Sequence, residues 1–270
     1  MDQGVTCVSR ASAAGRRTKA RPWPREHGAW AILLVSFGAG WAVGWKLDIR
    51  LLPLLVACVF ALALRTDVVE AVTARRLRRL WPWGVGDGLV SLAALCTAAV
   101  GRPGLFGMAV LGMLAMSVDT AVRGGRIPRS LLAEVVSTGG LALAGPAALY
   151  TASGVLSGDV LWLWAALTVH FLGAVLRVRA RLAQSKDASM GRRAWKAVLV
   201  YHLCAAAAAG AAGLLGWVPP AMWAAFVPAL LSGLRERGQS GPLVLAKVGR
   251  RERNGSILFA VLLAAASRLR

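Results

Sequence analysis

The chain is poor in the side chains that soluble enzymes use most. In 270 residues there are four cysteines, three histidines, two tyrosines and twelve acidic residues. Cys7, Cys58, Cys96 and Cys204 show no CxxC spacing, which argues against a zinc ribbon or a disulfide framework. No metal and no cofactor are expected. The first 22 residues, "MDQGVTCVSRASAAGRRTKARP", lack an apolar h-region and so do not read as a secretory signal. They read as a disordered basic cytoplasmic tail, leaving 23–270 as a single transmembrane domain.

What the chain has instead is hydrocarbon: 57% of its residues are hydrophobic, more than one soluble core could bury. A spanning helix needs roughly 17–20 apolar residues, and nine runs of about that kind can be marked out. They cover 27–45, 50–65, 84–101, 104–122, 131–150, 157–177, 196–216, 219–234 and 254–268. The alternation of a barrel strand is absent, and unpaired backbone is too costly in lipid for anything but helix. The expected fold is therefore an all-α, polytopic membrane protein.

A formal charge of +20 would suit a nucleic-acid binder, but its distribution points elsewhere. Six Lys or Arg fall before the first run, five in 65–83, three in "RGGRIPRS", seven in 177–196 and six in 235–253, which is 27 of the 32. The turns between are nearly bare. Basic residues beside helix ends resist translocation, so this alternation predicts a cytoplasmic N-terminus, an outside C-terminus and an odd number of helices. Trp23, Trp45, Trp81, Trp83, Trp195 and Trp217 fall at run ends, as interfacial belt residues do. No aromatic platform interleaves with the basic residues, so the expected partner is the bilayer and not nucleic acid. Arginine outnumbers lysine 27 to 5 in an alanine-rich chain, usage typical of a GC-rich bacterial genome. The bacterial cytoplasmic membrane is the expected location.

Ionisable groups inside apolar runs are costly unless paired or hydrated, which makes them the candidates for a site. His170 and Arg177 are two turns apart on one face of the sixth run, and His202 lies one to two turns into the seventh. Glu134 lies near the start of the fifth. His27 heads the first, so all three histidines share a depth. Asp67 and Glu70, three apart, are weaker candidates that could equally be solvated beside Arg75 and Arg76. In "RPWPREHGAW", Glu26 sits near the positive end of the first helix dipole, and His27 and Trp30 share a face. One expectation is that Glu26 and His27 meet "KVGRRE" before the last run, with Lys247 or Arg250 pairing Glu26. The competing reading makes the stretch an interfacial anchor. Small residues four apart, Ser36, Gly40 and Gly44, and "CAAAAAGAAGLLG" in the seventh run predict close helix pairing.

Four segments, "PREHGAW", "LTVHFLGAVLRVRA", "YHL" and "AKVGRRERNGSILF", resemble the YwiC-like family of bacterial membrane proteins, over about residue 22 to the end. The family pattern falls here on Pro24, Glu26, His27, Gly28, Ala29 and Trp30, on His170 and Arg177, on Tyr201 and His202, and on Lys247, Gly249, Glu252 and Ser256. The chain departs from it in the basic tail and in "RSLLAEVV" around Glu134. The resemblance implies an integral membrane protein and no particular reaction.

Three functions are open on this reading. A transporter or permease with a cytoplasm-facing His/Glu/Arg site taking a lipid or small molecule is the first. The second is an intramembrane enzyme or binder acting on a polyprenyl or lipid phosphate. The nine-helix, N-inside topology is shared with the UbiA-like prenyltransferases, but "RTDVVEAVTARR" and "RVRARLAQSKDASMGRR" carry guanidinium groups where Mg-diphosphate needs carboxylates. A non-catalytic component of a membrane complex is the third.

Overall fold

Unbroken helices outnumber broken ones in the computed structural model, which describes residues 27–74, 77–128, 130–237 and 245–269. Among the described residues there are ten α-helices, one 3-10 helix and no strand. They are α1 (His27–Gly44), α2 (Leu51–Ala74), α3 (Leu77–Ala98), α4 (Gly104–Arg123), α5 (Leu131–Ala142), α6 (Ala144–Ser153), α7 (Gly158–Lys186), α8 (Ala188–Leu214), the 3-10 segment Pro220–Phe226, α9 (Val227–Arg237) and α10 (Leu245–Ser267). The tail expected over 1–22 lies outside the described residues.

The nine apolar runs map onto these elements one for one, with the fifth run divided into α5 and α6 and the eighth into the 3-10 segment and α9. Proline explains both divisions. Pro146 has no N–H to give the Ala142 carbonyl and its ring crowds that turn, so the helix breaks at Leu143 and restarts. Pro219 and Pro220 likewise open the 3-10 turn. Five helices, Leu51–Thr73, Gly104–Arg123, Leu131–Ser153, Gly158–Lys186 and Ala188–Leu214, are long and apolar enough to cross a membrane. Five runs extend well beyond what hydropathy alone suggests, the third starting at Leu77 and the seventh at Ala188. The second continues to Ala74, the sixth to Lys186, and the last begins at Leu245, so Arg65 and Glu252, expected in loops, are helical.

Packing follows the small residues. A Cβ on Gly40 would run into the Gly145 carbonyl, and one on Gly44 would lie 3.0 Å from the Ala152 Cβ. With Ser36 fully buried, this face of α1 lies backbone to backbone on α6, which is buried from Ala144 to Ala152. In α8, a Cβ on Gly213 would stand 3.0 Å from Pro220 Cα, so that small stripe seats the 3-10 segment. The outward surface is inverted relative to a soluble protein. Leu89, Leu111, Met113, Leu132, Leu161, Leu203 and Val261 are all half or more exposed. A continuous apolar exterior of this kind suits hydrocarbon as its solvent.

Contacts at the two ends agree with the charge pattern. At the bare end, Arg268 Nη2 donates to the Ala42 carbonyl (3.0 Å) and Arg102 Nε to the Thr151 carbonyl (3.4 Å), tying α10 to α1 and the α4 entry to α6. At the basic end, Arg179 pairs with Glu134.

Candidate functional site

About the last five turns of α7 carry a ladder of cationic and imidazole groups along one face. His170, Arg177 and Arg181 follow at spacings of seven and four, the intervals that keep a helical face. Opposite them, α10 presents Glu252, Ser256 and Phe259 at i, i+4 and i+7, and it runs antiparallel, so higher numbers on one helix meet lower numbers on the other.

Arg177 is the centre. It is 3% exposed, and its guanidinium donates through Nε to Glu252 Oε1 (2.9 Å) and through Nη2 to Glu252 Oε2 (2.5 Å). That is the bidentate fork that arginine makes and lysine cannot. Its remaining Nη1 lies 2.5 Å from His202 Nε2. His202 Nδ1 is 2.7 Å from the Val198 carbonyl. A carbonyl only accepts, so Nδ1 carries the proton and Nε2 accepts from Arg177 Nη1. One side chain thereby joins α7, α8 and α10.

His170, also 3% exposed, places Nε2 at 3.0 Å from Ser256 Oγ and stacks on the Phe259 ring at a centroid distance of 3.9 Å. Its Nδ1 is buried without a hydrogen-bond partner. His170, Arg177 and Glu252 share the wall of a small pocket of about 30 Å³ with Glu236 and Arg251. That volume holds a water or two. One turn nearer the basic end, Arg181 Nε donates to Glu236 Oε2 (3.3 Å), and Arg251 approaches Glu236 Oε1 at 3.8 Å.

Close approach of α8 depends on a glycine. A Cβ on Gly173 would lie 2.9 Å from His202 Nε2 and 3.1 Å from Tyr201 Cε1. Tyr201 Oη crosses the same gap to donate to the Val169 carbonyl (2.7 Å). At the basic end of this hairpin, α7 and α8 are separated only by Asp187, whose carboxylate caps α8 by accepting from Ser189 N (2.5 Å) and Met190 N (3.1 Å). The Ser189 side chain, with those backbone N–H groups, holds the Asp187 carboxyl below the usual carboxylate range.

Of the residues singled out in the sequence, His170, Arg177, His202 and Glu252 come together. The others do not join them. Glu134 opens α5 and pairs with Arg179, which points nearly opposite to Arg177 on α7. Trp30 packs with Ala29, Leu33, Leu62 and Ala144, toward α2 and α6. Lys247 is exposed at the start of α10. Asp67 is buried in the α2–α3 seam near Gly84, whereas Glu70 is exposed, so the two do not form a pair of ligands. Among the described residues no group of three or more His, Cys, Asp or Glu could hold a metal ion. Glu26, the His27 side chain and their expected partnership with "KVGRRE" lie outside the described residues. The helix that completes the histidine pair is α10.

A second polar cluster was not anticipated. Arg65 of α2, read as a topological loop charge, is 6% exposed and donates from Nε (3.1 Å) and Nη2 (2.8 Å) to Asp119 Oδ2 on α4. Arg123 Nε reaches the same oxygen at 3.0 Å, and Ser137 Oγ of α5 donates to Asp119 Oδ1 at 3.0 Å. An acid in "MSVDTAVR" with a basic residue four later was the signal available.

Fold, apolar exterior and buried ion clusters define a polytopic helical membrane protein with charged groups linking helices inside its bundle. Residues 23–149 match the model of the YwiC-like protein family. The chain is also 23% identical over 222 residues to "Uncharacterized protein YwiC" of Bacillus subtilis (strain 168), covering 82% of this chain and 88% of that relative. The resemblance carried by the four sequence motifs is thus borne out: the chain is similar to YwiC-like proteins over residues 23–149 and, at lower identity, over most of its length. The family model's match ends within α6, before the Arg177 cluster. No solved structure matches.

Proposed function

We propose that the protein is a proton-coupled permease for a small anion, crossing the bacterial cytoplasmic membrane nine times with its N-terminus inside. The observation carrying this reading is Arg177, buried between α7, α8 and α10 and held by Glu252 and His202. A buried ion pair adds little to stability over well-packed apolar side chains, and intramembrane ionisable groups characteristically mark solute or proton pathways. The chemistry that suits it is competition. Protonation of Glu252 removes the carboxylate from Arg177, and the freed fork accepts an anionic solute. Deprotonation returns Glu252 to Arg177 and expels the solute. The Arg181–Glu236–Arg251 tier lies on the side proposed to face the cytoplasm and offers positive charge along the approach.

The test uses proteoliposomes loaded with a pH-sensitive dye and given gradients of chloride, bromide or nitrate in turn, anions small enough for the pocket beside Arg177. Coupled proton movement with at least one of them, absent in Arg177→Lys, is expected. Glu252→Gln, fixed in the neutral form, should exchange the anion without moving protons. If no anion in the panel moves protons, the proposal fails. The topology is checked by single-cysteine labelling at 75, 126, 186 and 240, all expected inside, and at 153, expected outside.

A further inference from the structure

A cavity of about 280 Å³ lies away from the Arg177 cluster, among α1 to α6. Leu62, Leu95, Leu105, Met108 and Met116 line it, and polar groups gather at one end, where Arg65, Asp119 and Ser137 reach the wall. Along α4 the wall runs from Leu105 to Asp119, about 21 Å at ~1.5 Å per residue. Such a volume over such a length is a slender channel, elongated enough for one extended chain. It opens sideways. Leu92 of α3 and Met113 of α4 line the cavity while being 55% and 61% exposed. α3 packs chiefly on α2, and α4 on α5 and α2, so the gap between α3 and α4 faces the outer apolar surface.

We propose that this cavity binds the hydrocarbon chain of a single-chain amphiphile, an acyl or isoprenoid tail, entering between α3 and α4 with its polar head toward Arg65, Asp119 and Ser137. An apolar cavity excludes water, and left dry its walls forfeit dispersion contacts. Opening onto hydrocarbon, it takes up a chain with no aqueous desolvation and recovers those contacts. Ser91, elsewhere in the lining, spends its hydroxyl on the Ala57 carbonyl (2.9 Å), so the charged groups at one end give the chain a direction.

Two glycines provide the test. A Cβ on Gly112, which lines the cavity, meets nothing within 4 Å, and the same holds for Gly107, which is exposed on the same helix and is not a lining residue. Gly112→Phe therefore fills the channel, and Gly107→Phe is its control. The full chain in nanodiscs is irradiated with a lysophosphatidylethanolamine carrying a diazirine in its one acyl tail, or with a diazirine-bearing isoprenol, and adducts are mapped to single residues by peptide mass spectrometry. Adducts on the lining residues Cys58, Leu62, Met108, Ala115 and Met116 are expected, kept in Gly107→Phe and lost in Gly112→Phe; the probe that gives them identifies the chain. Gly88→Leu, whose Cβ makes only an ordinary 3.8 Å contact with Leu64 Cδ2, blocks from α3 and should reproduce the loss. Adducts confined to outward residues such as Val110, Leu111 and Leu114, unchanged by either blocking variant, would mean annular lipid only and overturn the proposal.

Discussion

Two buried arginines, Arg177 and Arg65, sit in the same bundle in opposite surroundings. Arg177 is sealed: α7, α8 and α10 close around it, Gly173 lets α8 into contact, and the adjoining pocket has room for little more than water. Arg65 stands at the end of a cavity roughly nine times larger, lined by leucine and methionine and open toward lipid. The difference teaches that a buried charge does not by itself define one kind of site. Helix packing around it decides whether the partner is a small polar species or a chain.

The sharpest break in the comparison is removal of one partner. Arg177→Met leaves the part-buried Glu252 without its cation and should cost about 3 kcal/mol, read as a fall in thermal unfolding temperature in detergent. Arg177→Met with Glu252→Leu should recover most of that stability while abolishing any coupled transport. Stability that stays low in the double variant would show that the pair is structural.

On the other side, Asp119→Asn keeps an acceptor for Arg65 and Ser137 but removes the charge shared by Arg65 and Arg123. A smaller loss of about 1–3 kcal/mol is expected, by the same measurement. A loss equal to that of Arg177→Met would erase the proposed contrast between sealed and open clusters.

The glycines should respond with opposite signs. Gly173→Ala forces a methyl to 2.9 Å from His202 Nε2 and should destabilise by about 1–3 kcal/mol. Gly112→Ala meets open space in a helix interior and should stabilise by roughly 0.5–1 kcal/mol.

The smallest effect concerns the hairpin that holds the sealed site. Because the Asp187 carboxyl is lowered in the folded chain, its capping contribution is fully present above the ordinary carboxylate range and is lost as pH falls through the lowered value. Wild type and Asp187→Ala should therefore differ in unfolding temperature at neutral pH and converge under strong acid. A constant difference across that range would remove the carboxylate from the argument.

The sequence by itself determined the class and much of the bundle. Apolar runs of spanning length dictate helices because lipid offers the backbone no partners, and Ser36, Gly40 and Gly44 announce a close helix contact because only small residues permit one. Even half of the sealed site was legible, since a seven-residue spacing on one helix puts His170 and Arg177 on one face whatever surrounds them. Which helices meet that face was decided only in three dimensions. Glu252 is 75 residues from Arg177 and reaches it because α10 begins early, at Leu245, and runs antiparallel to α7. Arg65 shows the same limit from the other side. As a basic residue at the end of an apolar run it reads as a loop charge, and it becomes a buried one because α2 continues past it and Asp119 on α4 supplies the counter-charge. Periodicity along one chain fixes which side chains share a face, but the choice of opposing face depends on the packing of all the helices together.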